Sequence, residues 1–537
     1  MRFLRPLPSS LSRLSAPIIL GVWVVQMGFL LRSVEREAHG ASLAADLARY
    51  GSSAQWRGIY LRGEKIGFSV TQTSPLGDGY EIEEDGRLRM LLLGMTTVTR
   101  LRSVARVDHE FALNSFSFSL DPGTGAVEIS GRVDGRRLLL SFHTSSGTRE
   151  EVRDLPERPA LSLNLTRQLV SAGLKTGRRF EVSLIDPTTL TNAPATIEVV
   201  GHDVLFIEGR PVPTYRLTSR FVGLESTMWV TETGEVVREE SPLGMVVVKE
   251  SPRKATLLGV LSSGSSDLVN IASVVPKSAF RIPDPTAVQR LRIRLEGADA
   301  LLGRPDAVGA GQSLVAPDVL EVQQVSQLEP QPLDPARLHF VAAEPLVESD
   351  DPAIRAEAEK AVAGTTGARA RAERLVRHVY AMLDKRPTVS LPSAAEVLRT
   401  RVGDCNEHTV LYVALARAVG LPARVAVGLV YLLGAFHYHA WAEVYVEDPP
   451  GRGLWIPVDP TFNQFPADAT HVRLARGGLE QQALITPLIG RIRIEILDLA
   501  LRPGAEPPVV GRAQQDMHPI EIAMPHRDAG GPTCWGH

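Results

Sequence analysis

Cysteine is nearly missing from this chain: 537 residues hold two, Cys405 and Cys534. A framework of disulfides is thereby excluded. Cys534 stands in the polar, glycine- and proline-rich end GGPTCWGH, where a mobile thiol is the default reading. An excess of basic charge is also lacking. Lys and Arg number 58 against 61 Asp and Glu, a formal net charge of −3, which argues against nucleic acid as a partner. No compact ligand spacing such as His-Glu-x-x-His occurs, and no dense acidic loop, so neither a metal nor another cofactor is expected.

What is present is enough apolar residue, 44%, for full cores, in a chain long enough for about three domains. Arg2, Arg5 and Arg13 precede an uncharged run from Leu14 to Leu31 that Arg32 closes. That run can just span a bilayer core of about 30 Å, and its flanking arginines predict a cytoplasmic N-terminus (1–13), a single-pass inner-membrane anchor (14–31) and a periplasmic remainder. A cleaved signal peptide is the competing reading; its candidate site, Ala38-His39-Gly40, lies late.

Residues 50–260 read as one large antiparallel β domain curved into a half-barrel. Short alternating runs such as WRGIYLRGEKIGFSVT are punctuated by Gly-Asp, Pro-Gly and Asp-Gly turns, and a brief helix is predicted over 158–174. Residues 261–348 form a small β module with linkers: a Ser/Gly hinge at 262–267, RLRIRLEGA as its surest strand, and EPQPLDP as a linker. From Asp351 the period turns helical, with Ala368, Ala372, Leu375, Val376, Val379 and Leu383 on one face, opening a domain that runs over 350–500. The tail, 501–537, is polar and expected to be disordered.

The chemistry gathers in residues 401–461. Asp404 is a plausible N-cap, and the run from Cys405 to Val419 places Val410, Leu411, Ala414, Leu415 and Ala418 at helical spacing before the stop Gly420, Pro422. Cys405 thus lies in a first helical turn. A thiol attacks as thiolate, and its pKa of about 8.5 falls at a helix N-terminus beside an imidazolium. Ser393-Ala394-Ala395-Glu396 reads as a capping box for a short helix just upstream. Downstream the period becomes two: Arg424–Leu433 and His437–Val446 read as strands, the second with His437, His439, Trp441, Glu443 and Tyr445 on one face. A third strand, Leu454–Asp459, would carry Asp459 back beside the histidines, where a carboxylate can orient an imidazole.

These segments, GDCNEHTVLYVALARAVGLPARVAVGL, FHYHAWAEVYV and LWIPVDPTFNQFPADATHVRL, resemble the core of the transglutaminase-like superfamily, a branch of the papain-like thiol enzymes. The resemblance covers roughly residues 350–500. It implies an α+β chain whose papain-like catalytic core follows the β domain and the N-terminal transmembrane helix. It also implies Cys405 as nucleophile, His439 as general base and then acid, and Asp459 as the orienting acid.

Each residue has a plainer reading beside this one. A lone cysteine is most often a small buried hydrophobe. His437 is the rival base, two positions earlier on the same face. Glu407 and His408 suit a helix cap or a supporting hydrogen bond. Trp441 suits the core or the wall of an acyl-donor channel, and His471 a structural role. The oxyanion donor and the oligomeric state stay unassigned. Three functions remain open: a thiol acyltransferase or amidohydrolase acting on peptide or cell-envelope amides, a cysteine peptidase with the same triad, and a non-catalytic envelope scaffold in which the triad is vestigial.

Overall fold

The computed structural model describes residues 54–258, 267–278 and 280–510. The expected membrane anchor, Leu14–Leu31, lies outside these residues, as does the tail beyond 510. Among the described residues no helix is long and apolar enough to cross a membrane.

Residues 55–249 build one fourteen-stranded antiparallel sheet. The chain begins in its middle. Gln55–Leu61 pairs with Glu64–Leu76 on one side and with Met245–Lys249 on the other, the last strand returning some 190 residues later to meet the first in the register Arg57 to Lys249. Hairpins carry the chain outward to Gly147–Asp154. The helix Ser162–Ser171 then crosses to the opposite edge, Arg179–Asp186, and hairpins lead back to the seam. The crossing chain also touches that far edge, Ala160 bridging Leu184, so the sheet curls nearly onto itself. Tight turns make the meander. At Arg62-Gly63 and Leu93-Gly94 both residues take positive φ, the twist that joins antiparallel strands without splaying them.

Alternation along the strands places Phe116, Phe118, Leu120, Leu138, Leu140 and Phe142 in one core. Leu165 and Leu169 of the crossing helix share another with Ile197, Val199, Leu217 and Val230.

The second sheet is mixed in origin. Its order is Gln312–Ala316, Val319–Gln323, Val288–Glu296, Arg493–Leu501. The strand at 288–296 is where the sequence predicts it, but its neighbour comes from the far end of the chain. The boundary drawn at 348 therefore does not close the module: Arg493–Leu501 was assigned to the following domain and instead completes this one. The tail is also ordered further than expected, since Arg502 N–H donates to Ala287 O and Val509–Val510 pairs with Phe280–Arg281. The EPQPLDP stretch does more than link. Gln331–Pro332 is an edge strand on Arg452–Gly453, fastened by Arg452 on the Pro330 carbonyl and by Trp455 Nε1 on Asp334.

Between these segments lies the helix-and-sheet domain. Its sheet runs Gln331–Pro332, Arg452–Val458, Ala435–Glu447, Ala423–Leu432, Val472–Arg476. Helices Pro352–Val362, Ala368–Met382, Ala394–Thr400 and Cys405–Ala418 pack on one side through Leu375, Val376, Val379, Leu411 and Leu415. The small module packs on the other through Leu291, Ile293, Leu429, Tyr431 and Phe436. The β domain reaches this assembly too: Leu391, just before the short helix, is buried among Phe142, Ile129 and Leu138. Leu391→Ala is expected to cost about 2–5 kcal/mol as a buried truncation, read as a lower denaturant midpoint of the full chain. An unchanged midpoint would show that this contact is dispensable.

Candidate active site

The helix Cys405–Ala418 starts as its sequence dictates. Asp404 caps it, its carboxylate accepting from Asn406 N–H at 2.9 Å, while Glu407 Oε2 reaches back to Asp404 N–H at 2.9 Å. This reciprocal box fixes the first turn and hence Cys405. Over it runs the stretch 384–391. Asp384–Lys385 pairs in parallel with Val402–Gly403, Thr388 N–H points at Asp404, and Ser390 Oγ donates to Glu407.

Burial first, and then neighbouring acidic groups, push the Cys405 thiol well above its ordinary value; an N–H of Ala440 offsets this only in part. Asp404 is itself pushed up by burial and by Glu407. The helix N-terminus is present, and the cost of burial opposes it.

The strand Ala435–Glu447 brings His439 opposite Gly428 on its neighbour. Its Nε2 donates to Asp459 Oδ2 at 2.7 Å, leaving Nδ1 as the nitrogen available to a thiol. The Phe462 ring stacks on the imidazole at 4.8 Å, fixing its plane. Asp459 is fully buried and collects four donors: Thr461 N–H (2.7 Å) and Phe462 N–H (3.0 Å) on Oδ1, His439 and His471 on Oδ2. Its carboxyl is accordingly held far below the usual range against the cost of burial.

His471 completes the arrangement. Its Nε2 lies 3.1 Å from Asp459 Oδ2 and its Nδ1 3.3 Å from Asp468 Oδ1. Both partners only accept, so both nitrogens must carry protons and the ring is an imidazolium. Against desolvation, Asp468 and Asp459 raise its pKa to about 10. Asp468 is in turn held by Thr470 and by Gln464, whose own backbone pairs with Asp459. Gly428 lets the strand that follows His471 approach, since a Cβ there would stand 2.1 Å from the Val472 carbonyl.

Of the sequence candidates, the structure joins His439 to Asp459 and leaves His437 out. That ring is turned to the Leu432 carbonyl, and burial lowers its pKa. Trp441 is 1% exposed, too deep to wall a channel, and meets His471 edge-on at 5.3 Å. His408 sits in the first turns of the Cys405 helix with Nδ1 on the Asp404 carbonyl at 2.6 Å. Glu443, on the histidine strand, is fully buried among Arg424, Arg473 and Arg476. Arg473 also takes the carbonyls of Asp306, Val308 and Gly309, tying the small module to this sheet.

Sequence reading missed Lys385, half-buried with its ammonium 3.8 Å from the centre of the Tyr380 ring and its charge felt by Asp459, and Phe462, three residues after the aspartate. Only that spacing could have hinted at Phe462. The donor atoms of His439, Asp459 and His471 lie within 4.8 Å of one another. In the structure these atoms form a hydrogen-bonded chain, His439 and His471 both meeting Asp459 Oδ2.

Comparison with known proteins agrees with this part of the chain. Residues 355–460 match the family described as the Transglutaminase-like superfamily, and the chain carries a transglutaminase-like domain there. Uncharacterized proteins of Mycobacterium tuberculosis and Mycobacterium bovis are 34% identical over 106 residues, 18% of this chain and 33% of theirs. The chain thus spans about a third of the length of the curated relatives it matches. Among solved structures, a candidate cysteine protease from Cytophaga hutchinsonii is 19% identical, covering 38% of this chain and 67% of its own, at a TM-score of 0.25. A β-barrel-like protein of unknown function from Brucella abortus is 13% identical, covering 37% and 96%, at 0.29.

The charge chain has a pH signature. His471 has a folded pKa of about 10 against an ordinary 6.5, so its contribution to stability is complete below pH 6.5 and is lost as pH rises through 10. For Asp459 and Asp468, whose folded values are depressed, the contribution is present above their ordinary 3.8 and lost as pH falls. His471→Gln is expected to cost roughly 3–5 kcal/mol at pH 6, the gap to wild type narrowing steadily toward pH 10 in urea denaturation. A gap that stays constant over that window would mean that the ring is neutral.

Proposed function

We propose that the transglutaminase-like domain is a thiol acyl-transfer catalyst that uses Cys405, His439 and Asp459. The observation that carries this reading is the 2.7 Å bond from His439 to buried Asp459, on a strand whose next residue, Ala440, also faces the Cys405 thiol at the start of its helix. The elevated thiol favours general-base attack over a standing ion pair. His439 Nδ1 takes the Cys405 proton as Sγ bonds to a carboxamide carbon. The imidazolium then gives that proton to the departing amine or ammonia, leaving a thioester. An incoming amine or water loses a proton to His439 as it attacks, and the thiol is regenerated when the proton returns.

Water or amine as acceptor is a difference of access rather than of machinery, so peptidase and transferase outcomes share this scheme. The arginine-flanked run at 14–31 supports placing the reaction at a membrane, on envelope peptides or amides; that placement rests on sequence alone.

The test is mass analysis after incubating the protein with glutamine-containing envelope peptides and a primary amine. Amine adducts mean transfer, new termini mean proteolysis, and a gain of about 1 Da means deamidation. Cys405→Ala should abolish every product, and Asp459→Asn should slow turnover by about 10³–10⁴-fold through loss of imidazole orientation. Absence of all three products with the intact chain, or products that survive Cys405→Ala, would sink the proposal.

A further inference from the structure

The curled sheet of the β domain lines a half-open cavity of about 410 Å³, bounded on one side by the first two turns of the helix Ser162–Ser171. Its size falls in the range of small-molecule sites, about 300–1,000 Å³. The lining is mixed. Leu88, Leu101, Leu163, Phe221, Met228 and Val247 supply its apolar part, serine and threonine side chains such as Thr71 and Ser219 stand among them, and Arg57, Glu84, Glu239 and Arg167 add ionisable groups.

No carboxylate lies within ion-pair distance of Arg167 among the described residues. Arg57 is paired with Glu84 at 2.6 Å. Glu239 is pushed toward its neutral form by burial, Arg57 opposing and Glu84 adding to the shift. Arg167 has only a hydroxyl, Thr73, as its polar partner among the described residues, with the Phe111 face 5.9 Å away. The nearest acid whose charge it feels, Glu235, is engaged by Lys249 at 2.5 Å. A partly buried guanidinium without a counter-ion is costly, and it is made more so by a second arginine beside it. A partly apolar cavity lined by a guanidinium that no carboxylate pairs directly fits a molecule with an anionic group and an apolar body.

We propose that the β domain binds an amphiphile, an anionic head on Arg167 and a hydrocarbon body in the apolar part of this cavity. The head is a carboxylate or a phosphate monoester, to either of which a guanidinium donates in bidentate fashion. This site is separate from Cys405 and does not depend on the acyl-transfer reading.

The experiment is photo-crosslinking of the full chain with a diazirine-bearing long-chain carboxylate, followed by peptide mapping. Labelled peptides should contain the lining residues Leu163, Phe221 or Met228. Dodecanoate or dodecyl phosphate should compete, the stronger competitor identifying the head group, and dodecanol should compete at least tenfold less well. Arg167→Gln should reduce labelling at least tenfold and Arg167→Lys should fall between it and the wild type, because an ammonium keeps the charge but loses the two-point contact, each variant being checked for its thermal midpoint. If Arg167→Gln does not fold, Ser219→Leu, which fills the cavity from a strand, should block labelling instead. Labelling outside the cavity, equal competition by dodecanol, or labelling indifferent to both variants would overturn the proposal.

Discussion

A single proton on His471 holds the candidate site together. Its ring is wedged between two carboxylates that can only accept, and those carboxylates are themselves anchored by backbone N–H groups and side chains of one loop, 459–471. Asp459 could not be fully buried as an anion with one histidine alone without a large desolvation cost. With an imidazolium on one side and His439 on the other, its charge is met from two directions. The arrangement fixes the carboxylate, and the carboxylate fixes which nitrogen of His439 remains for the thiol. It also shares the negative charge of Asp459 between two rings.

The same loop explains the division between what the sequence made legible and what it did not. The Asp404–Glu407 box, the helix after it and the switch to alternating strands are local patterns, each decided within about ten residues, and they appear at nearly the expected positions. His471 was visible as a residue but not as a participant, because its partners Asp459 and Asp468 gain meaning only when the loop folds on itself. The surroundings of the thiol were hidden for a related reason. Its helix position is local, but it packs against residues of the strand that carries His439, among them Ala440, which only the folded sheet brings to it.

Long-range pairing was the other blind spot. Turn chemistry announces the hairpins of the β domain one by one, yet nothing in WRGIYL says that its second neighbour is MVVVK, and that seam turns two meanders into one curled sheet with an interior. Likewise, IGRIRIEIL reads correctly as a strand while its partner, RLRIRLEGA, lies some 200 residues earlier.

That last pairing sets the architecture in a different light. The chain leaves the four-stranded module after Val319–Gln323, builds the helix-and-sheet domain, and comes back to lay down Arg493–Leu501 against Val288–Glu296. The thiol-bearing domain is thus a guest inserted into a small β host, tethered by both of its ends. A bead on one string can swing; a handle fixed at two points cannot. Cutting the guest free at the boundary its own motifs suggest would carry off the host's edge strand, so excision would damage the part left behind as much as the part removed.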